Sequence, residues 1–162
     1  MRCPIYNSDL EDPNLTARPG RILALDVGKK RIGLAVSDEL GLTAQGIDTL
    51  QRRRIREDLS QLKAIATQWN IHTLLIGRPL HMSGDESRQS EYTREFAERA
   101  AEHLDLPVVL WDERLTTTEA HRHLDDAGHA GGRERKGIID QVAAVLILQS
   151  FLEARANERS RS

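Results

Sequence analysis

Apolar residues along this chain first cluster in short runs and then recur at helical spacing. Residues 22–27 form a continuous apolar run broken only by Asp26, and Arg31–Ser37 form another. Between them, Gly28-Lys29-Lys30 reads as a hairpin turn. A weaker third strand is predicted within residues 43–50. The period then changes: Leu59, Leu62, Ile65, Ala66 and Trp69 predict an amphipathic helix over residues 55–69. Leu74-Leu75-Ile76 reads as a buried strand ending at Gly77. Tyr92, Phe96, Ala100 and Leu104 mark a second helix starting near Asp85 or Glu86, and Pro107 introduces a fifth strand over 108–111. Thr116-Thr117-Thr118-Glu119 is a capping box opening a short helix to about Asp126. Residues 128–135 carry three glycines among charges and read as a mobile loop. Residues 138–152 are apolar almost all round, the pattern of a buried helix.

The resulting order is β-β-β-α-β-α-β-α-α. Strands joined by short turns pair antiparallel, and strands separated by helices pair parallel through right-handed crossovers. The predicted fold is therefore α/β: a mixed five-stranded sheet, three antiparallel strands then parallel ones, with helices on both faces. That is the layout of the ribonuclease-H-like (RNase H-like) fold. Residues 1–20 are polar and read as a disordered N-terminal tail, residues 21–153 as one domain, and residues 154–162 as a flexible C-terminal tail.

Composition narrows the class. A chain of 162 residues is one ordinary domain with enough buried surface for a core. Only 4% of its residues are aromatic, so that core must be aliphatic. No run of about 18 apolar residues exists, which argues against a membrane-spanning helix. The single cysteine, Cys3, excludes a disulfide framework and a multi-cysteine zinc site and fits a reducing, cytoplasmic setting. The formal net charge of −2 is not that of a strongly basic nucleic-acid binder, so any such binding must rest on local patches.

Charge inside apolar elements locates the candidate chemistry. Asp26 ends a strand that should be central, Asp140 interrupts the last apolar helix, and Glu113 follows the fifth strand at its carboxyl end, where open α/β sheets place ligands. Buried carboxylates are costly and need partners. Taken singly, each acid has a structural reading, an ion pair or cap with Lys30, Arg114 or Lys136. In the predicted fold, however, all three converge at one end of the sheet. Hard oxygen donors select Mg²⁺ or Mn²⁺, and a carboxylate cluster with open positions is the arrangement of two-metal phosphodiester cleavage. Asp26 is then expected to bridge two ions, with Glu113 and Asp140 each on one side.

Four blocks carry a family resemblance. The stretch from Leu25-Asp26-Val27-Gly28 through Arg31-Ile32-Gly33 to Ser37-Asp38 resembles the first motif of the YqgF/RuvX family. Gly77-Arg78-Pro79-Leu80-His81-Met82-Ser83-Gly84 resembles its second, Asp112-Glu113-Arg114-Leu115-Thr116-Thr117 its third, and Ile139-Asp140-Gln141-Val142-Ala143-Ala144 its fourth. The resemblance spans about residues 21–152. It implies an RNase H-like, metal-dependent nuclease with Asp26, Glu113 and Asp140 as its acidic residues, associated with 16S rRNA 5′-end maturation and, in an older description, with Holliday junction resolution. Arg78 stands where the family usually has an apolar residue. It is read as snorkelling over its loop more readily than as a phosphate contact.

Around the acids, Lys29, Lys30 and Arg31 are candidates for holding phosphates beside Asp26. Arg114, Thr116 and Thr117 occupy a predicted helix N-terminus, and Lys136 follows the glycine-rich loop. Arg52-Arg53-Arg54-Ile55-Arg56 is the densest basic run but reads slightly more readily as a solvated turn. The histidines show no metal-ligand spacing, and Trp69 and Trp111 read as core. Three functions stay open: an rRNA-trimming nuclease, a junction resolvase working as a dimer, and a non-catalytic nucleic-acid-binding module. An actin-like ATPase needs two such domains, and this chain supplies one. A monomer and a homodimer both remain open.

Overall fold

The structure, a computed structural model, describes residues 5–6, 20–79, 88–113 and 132–161, with backbone alone over 132–138 and at 161. Its elements are β1 (Ile5–Tyr6), β2 (Arg21–Val27), β3 (Arg31–Ser37), β4 (Ala44–Gln51), α1 (Ile55–Gln68), β5 (Ile71–Arg78), α2 (Arg88–Leu104), β6 (Val108–Asp112) and α3 (Gly132–Arg161). One six-stranded sheet runs β1-β6-β5-β2-β3-β4. The hairpin partners β2, β3 and β4 pair antiparallel, while β5 pairs parallel with β2 and with β6. β2 is therefore central, and the carboxyl ends of β2, β5 and β6 share one edge.

Alternation along each strand assigns the two faces. Leu23, Leu25 and Val27 of β2 join Ile32, Leu34, Leu74 and Ile76 in a core with Leu59 and Leu62 of α1 and Phe96 and Ala100 of α2. Ile22 and Ala24 join Ala35, Leu75, Val109 and Trp111 in a second core beneath Ala144, Ile147, Leu148 and Phe151 of α3. Trp111 is fully buried there, edge-on to Phe151 at 5.3 Å between ring centroids. Trp69 packs against the first core, with the Arg21 guanidinium 5.8 Å from its ring centroid.

The sequence expectations differ from the structure at three places. The sheet has six strands rather than five, because Ile5 and Tyr6, expected to lie in a disordered tail, pair parallel with Val108 and Val109. Both are half-buried against the two cores and cover the β6 edge. Second, α3 begins at Gly132, inside the stretch read as a loop. Arg133-Glu134-Arg135-Lys136 are strong helix formers, so the glycines punctuate the start of the element rather than the whole segment. Third, α3 runs through the expected C-terminal tail to Arg161. Within it Arg155 is only 4% exposed, donates to the Gly41 carbonyl at 3.5 Å, and lies 5.7 Å from the Phe151 ring centroid. The helix expected over 116–126 lies outside the described residues. Among the described residues no helix is long and apolar enough to cross a membrane.

Candidate active site

The three acids share one face and one edge of the sheet. Asp26 falls in the alternation of Ile22 and Ala24, on the α3 face near the carboxyl end of β2. Its cross-strand partner is Gly33. A Cβ at Gly33 would stand 1.9 Å from the Asp140 carbonyl oxygen, so the absent side chain is what lets α3 settle beside Asp26. The β3–β4 register shifts between Ile32 and Leu34, which adds a local irregularity at the same glycine. Asp140 continues the sheet-facing stripe of Ala144, Ile147 and Leu148 one turn toward the start of α3. Glu113 follows β6 directly. A Cβ at Gly77 would stand 2.8 Å from Glu113 Oε1 and 2.6 Å from Ile147 Cδ1, which places that carboxylate on the α3 face at the end of β5.

Their proximity shows in their electrostatics. Burial first, then the charges of Glu113 and Asp140, push the Asp26 carboxyl up to about 7. Burial raises the Glu113 carboxyl as well, helped by the neighbouring Asp112. Asp140 is met by Arg31, whose Nε–H donates to Oδ2 at 2.8 Å with side chains 19% and 24% exposed. Arg31, expected to reach for phosphate, is thus engaged with a carboxylate. Among the described residues no three His, Cys, Asp or Glu side chains are gathered tightly enough to hold a metal ion as they stand. The donor chemistry nonetheless fits a hard divalent cation: three carboxylates meet at one edge, and among the described side chains one arginine pairs with one of them.

The supporting residues separate into three groups. Lys29 and Lys30 are exposed at the tip of the β2–β3 hairpin, where the Gly28 N–H donates to the Arg31 carbonyl at 2.9 Å. Arg52 fixes that hairpin: its N–H donates to the Lys30 carbonyl at 2.9 Å, and its guanidinium to the Gly28 carbonyl at 3.0 Å and Asp58 Oδ2 at 3.3 Å. The same guanidinium donates to the Tyr92 hydroxyl and faces the Tyr92 and Phe96 rings at 5.5 and 5.3 Å. Arg53, Arg54 and Arg56 are exposed. The sequence reading missed this anchoring role, because nothing in a basic run distinguishes its one inward arginine. Arg78 lies on the opposite face from the acids, its Nε–H donating to Ser90 Oγ at 2.9 Å. Lys136 lies in the first turns of α3, described there by backbone alone, and Arg114, Thr116 and Thr117 lie outside the described residues.

A mixed sheet with its acids at the carboxyl edge of the parallel strands, under one long helix, defines an RNase H-like protein with a carboxylate site. Solved structures of that fold align over most of the chain. Thermus thermophilus RuvC in complex with a Holliday junction substrate aligns with a TM-score of 0.54 at 14% identity, covering 85% of this chain and 96% of that one. The fowlpox virus resolvase bound to Holliday junction DNA aligns with a TM-score of 0.50 at 12% identity, covering 83% and 97%. The chain belongs to the RuvX family, whose model, described as a Holliday junction resolvase, matches residues 20–154. Curated relatives provisionally named pre-16S rRNA nucleases include those of Koribacter versatilis, 48% identical over 140 residues (86% of this chain, 91% of the relative). The relative from Symbiobacterium thermophilum is 48% identical over 136 residues (84% and 94%).

Proposed function

We propose that this chain is a divalent-metal-dependent endonuclease that hydrolyses phosphodiester bonds in the maturation of the 16S rRNA 5′ end, in the cytoplasm. The observation that carries the reading is the placement of Asp26, Glu113 and Asp140 on one face at one edge, close enough that two of them raise the third. Structural acids are arranged to avoid one another; acids held together against their own repulsion point to a bound cation. The names of relatives at 48% identity favour RNA over a DNA junction. Family membership and fold suit either substrate.

Asp26, Glu113 and Asp140 would hold two Mg²⁺ or Mn²⁺ ions. When bound, such ions lower the pKa of an attacking water and offset charge on the leaving oxygen. The chain's own residues do the rest. Asp26, central on β2, would serve as a ligand once its carboxyl proton is lost to solvent. Gly33 and Gly77 admit α3 and the Glu113 side chain close to the sheet, which fixes where the carboxylates stand. Lys29 and Lys30 hold phosphates flanking the scissile bond on a hairpin that Arg52 keeps in place. Arg114, Thr116, Thr117 and Lys136 are assigned to further phosphate contacts from their positions in the sequence.

The test offers a pre-16S rRNA 5′-leader substrate and a four-way DNA junction to the protein and to its Asp26→Asn variant, with Mg²⁺ or Mn²⁺ and with chelator. The expected result is metal-dependent cutting of the RNA, abolished in the variant while binding persists. Cutting of the junction alone would transfer the activity to DNA. Metal-independent binding with no cutting of either substrate would make the domain a binding module.

A further inference from the structure

Among the described side chains, an arginine pairs with one acid of the candidate site. Arg31 opens β3 and falls in the alternation of Gly33 and Ala35, so it lies on the α3 face with the acids. Its Nε–H takes Asp140 Oδ2 at 2.8 Å, and both side chains are at least three-quarters buried. We propose that Arg31 is a built-in counter-ion that competes with the divalent cation for Asp140, and that metal loading displaces its guanidinium toward the substrate edge.

The inference rests on the metal-dependent reading above and adds a role for one residue. Among the described side chains, one guanidinium answers one of the three carboxylates, and Asp26 faces its neighbours' charge. The pair steadies Asp140 where it stands. Little water screens so buried a pair, so a divalent ion arriving beside it repels the guanidinium strongly. The ion and Arg31 draw on the same carboxylate, and among the described residues the acids are not gathered tightly enough to hold an ion while that pair stands. Displaced, Arg31 lies next to Lys29 and Lys30, where an anionic strand can take it up. By linkage, whatever the metal does to the Arg31–Asp140 pair, that pair does in equal measure to metal affinity.

Calorimetric titration of Mn²⁺ into the full chain tests this with Arg31→Gln, Arg31→Lys, Lys30→Gln and Asp140→Asn. Arg31→Gln is expected to bind Mn²⁺ at least about fivefold more tightly than the wild type. Arg31→Lys, which keeps the charge without the planar fork, should fall between. Lys30→Gln removes the same charge from an exposed neighbour and should stay within about twofold, because solvent screens it. Equal or weaker binding by Arg31→Gln, with binding lost in Asp140→Asn, overturns the competition and leaves the nuclease reading standing. A wild type that binds no Mn²⁺ overturns both. Should Arg31→Gln fail to fold, the wild type decides by NMR: the Arg31 Nε–H resonance, protected in the ion pair, is expected to shift and lose protection as Mg²⁺ saturates. A resonance that stays put at saturation overturns the proposal.

Discussion

Gly33 and Asp140 meet main chain to main chain: the space a side chain at position 33 would fill holds the Asp140 carbonyl oxygen, 1.9 Å from where a Cβ would stand. Because Gly33 also pairs with Asp26 across the hairpin, one missing methyl group sets the separation of two acids on different elements. Gly33→Ala is expected to push α3 off the sheet, costing about 1–3 kcal/mol of stability. It should also suppress cleavage more than that loss explains. Chemical denaturation and single-turnover cleavage on the same preparation measure both. A variant as stable and active as the wild type would refute the close approach.

Asp26 makes stability depend on pH in an unusual direction. Its folded carboxyl titrates near 7 against an ordinary 3.8, so between those values the folded state holds a proton that the unfolded state has lost. Stability from this group is full below about pH 4 and declines as pH rises toward 7. In chelator, Asp26→Asn should therefore be more stable than the wild type at pH 8, on the order of 2–4 kcal/mol. The gap should close as pH falls to about 4. Urea melts at both pH values check it, and a gap independent of pH would contradict the raised carboxyl.

Arg52 and Arg53 are neighbours in a basic run with opposite fates. Asp58 is buried and paired with Arg52, so Arg52→Met leaves its carboxylate the Arg53 backbone N–H but not this counter-ion and should cost about 3 kcal/mol. It should also loosen the hairpin carrying Lys29 and Lys30. Arg53→Gln alters an exposed side chain and should leave stability within about 0.5 kcal/mol. Thermal melts of the two variants side by side give the answer.

Lys29 and Lys30 are proposed to contact phosphate, and that contribution is measurable as salt dependence. Each Lys→Gln substitution is expected to reduce the slope of log affinity against log salt by about 0.7 on a single-stranded RNA. The melting temperature should hardly move, since both side chains are exposed. Unchanged slopes would place the strand elsewhere.

Much of this architecture is legible in the sequence because its cues are local. The Gly28-Lys29-Lys30 turn, the alternation of β2 and β3 and the helical spacing of Leu59, Leu62 and Ala66 each act over a few residues. Asp26, Glu113 and Asp140 stood out as charges set in or beside apolar elements, and the structure brings them to one edge. Ile5 and Tyr6 were invisible because two apolar residues acquire meaning only when the β6 edge is there to receive them. The ends of α3 misled for another reason: charged, small residues were read as unstructured, although arginine, glutamate and alanine favour helix wherever one has already begun. The Arg31–Asp140 pair, 109 residues apart in sequence, leaves no local trace.

Arg155 and Asp140 ride on the same helix, one lodged at Gly41 and the other against Gly33. Fifteen residues of helix separate them, roughly 22 Å along a stiff rod. Such a rod behaves as a gauge pinned at its far end: slack at Gly41 becomes slippage at Asp140. Damage to this protein therefore need not fall near its acids to disable them, and loss-of-function substitutions should gather around Arg155 as well as around Asp26.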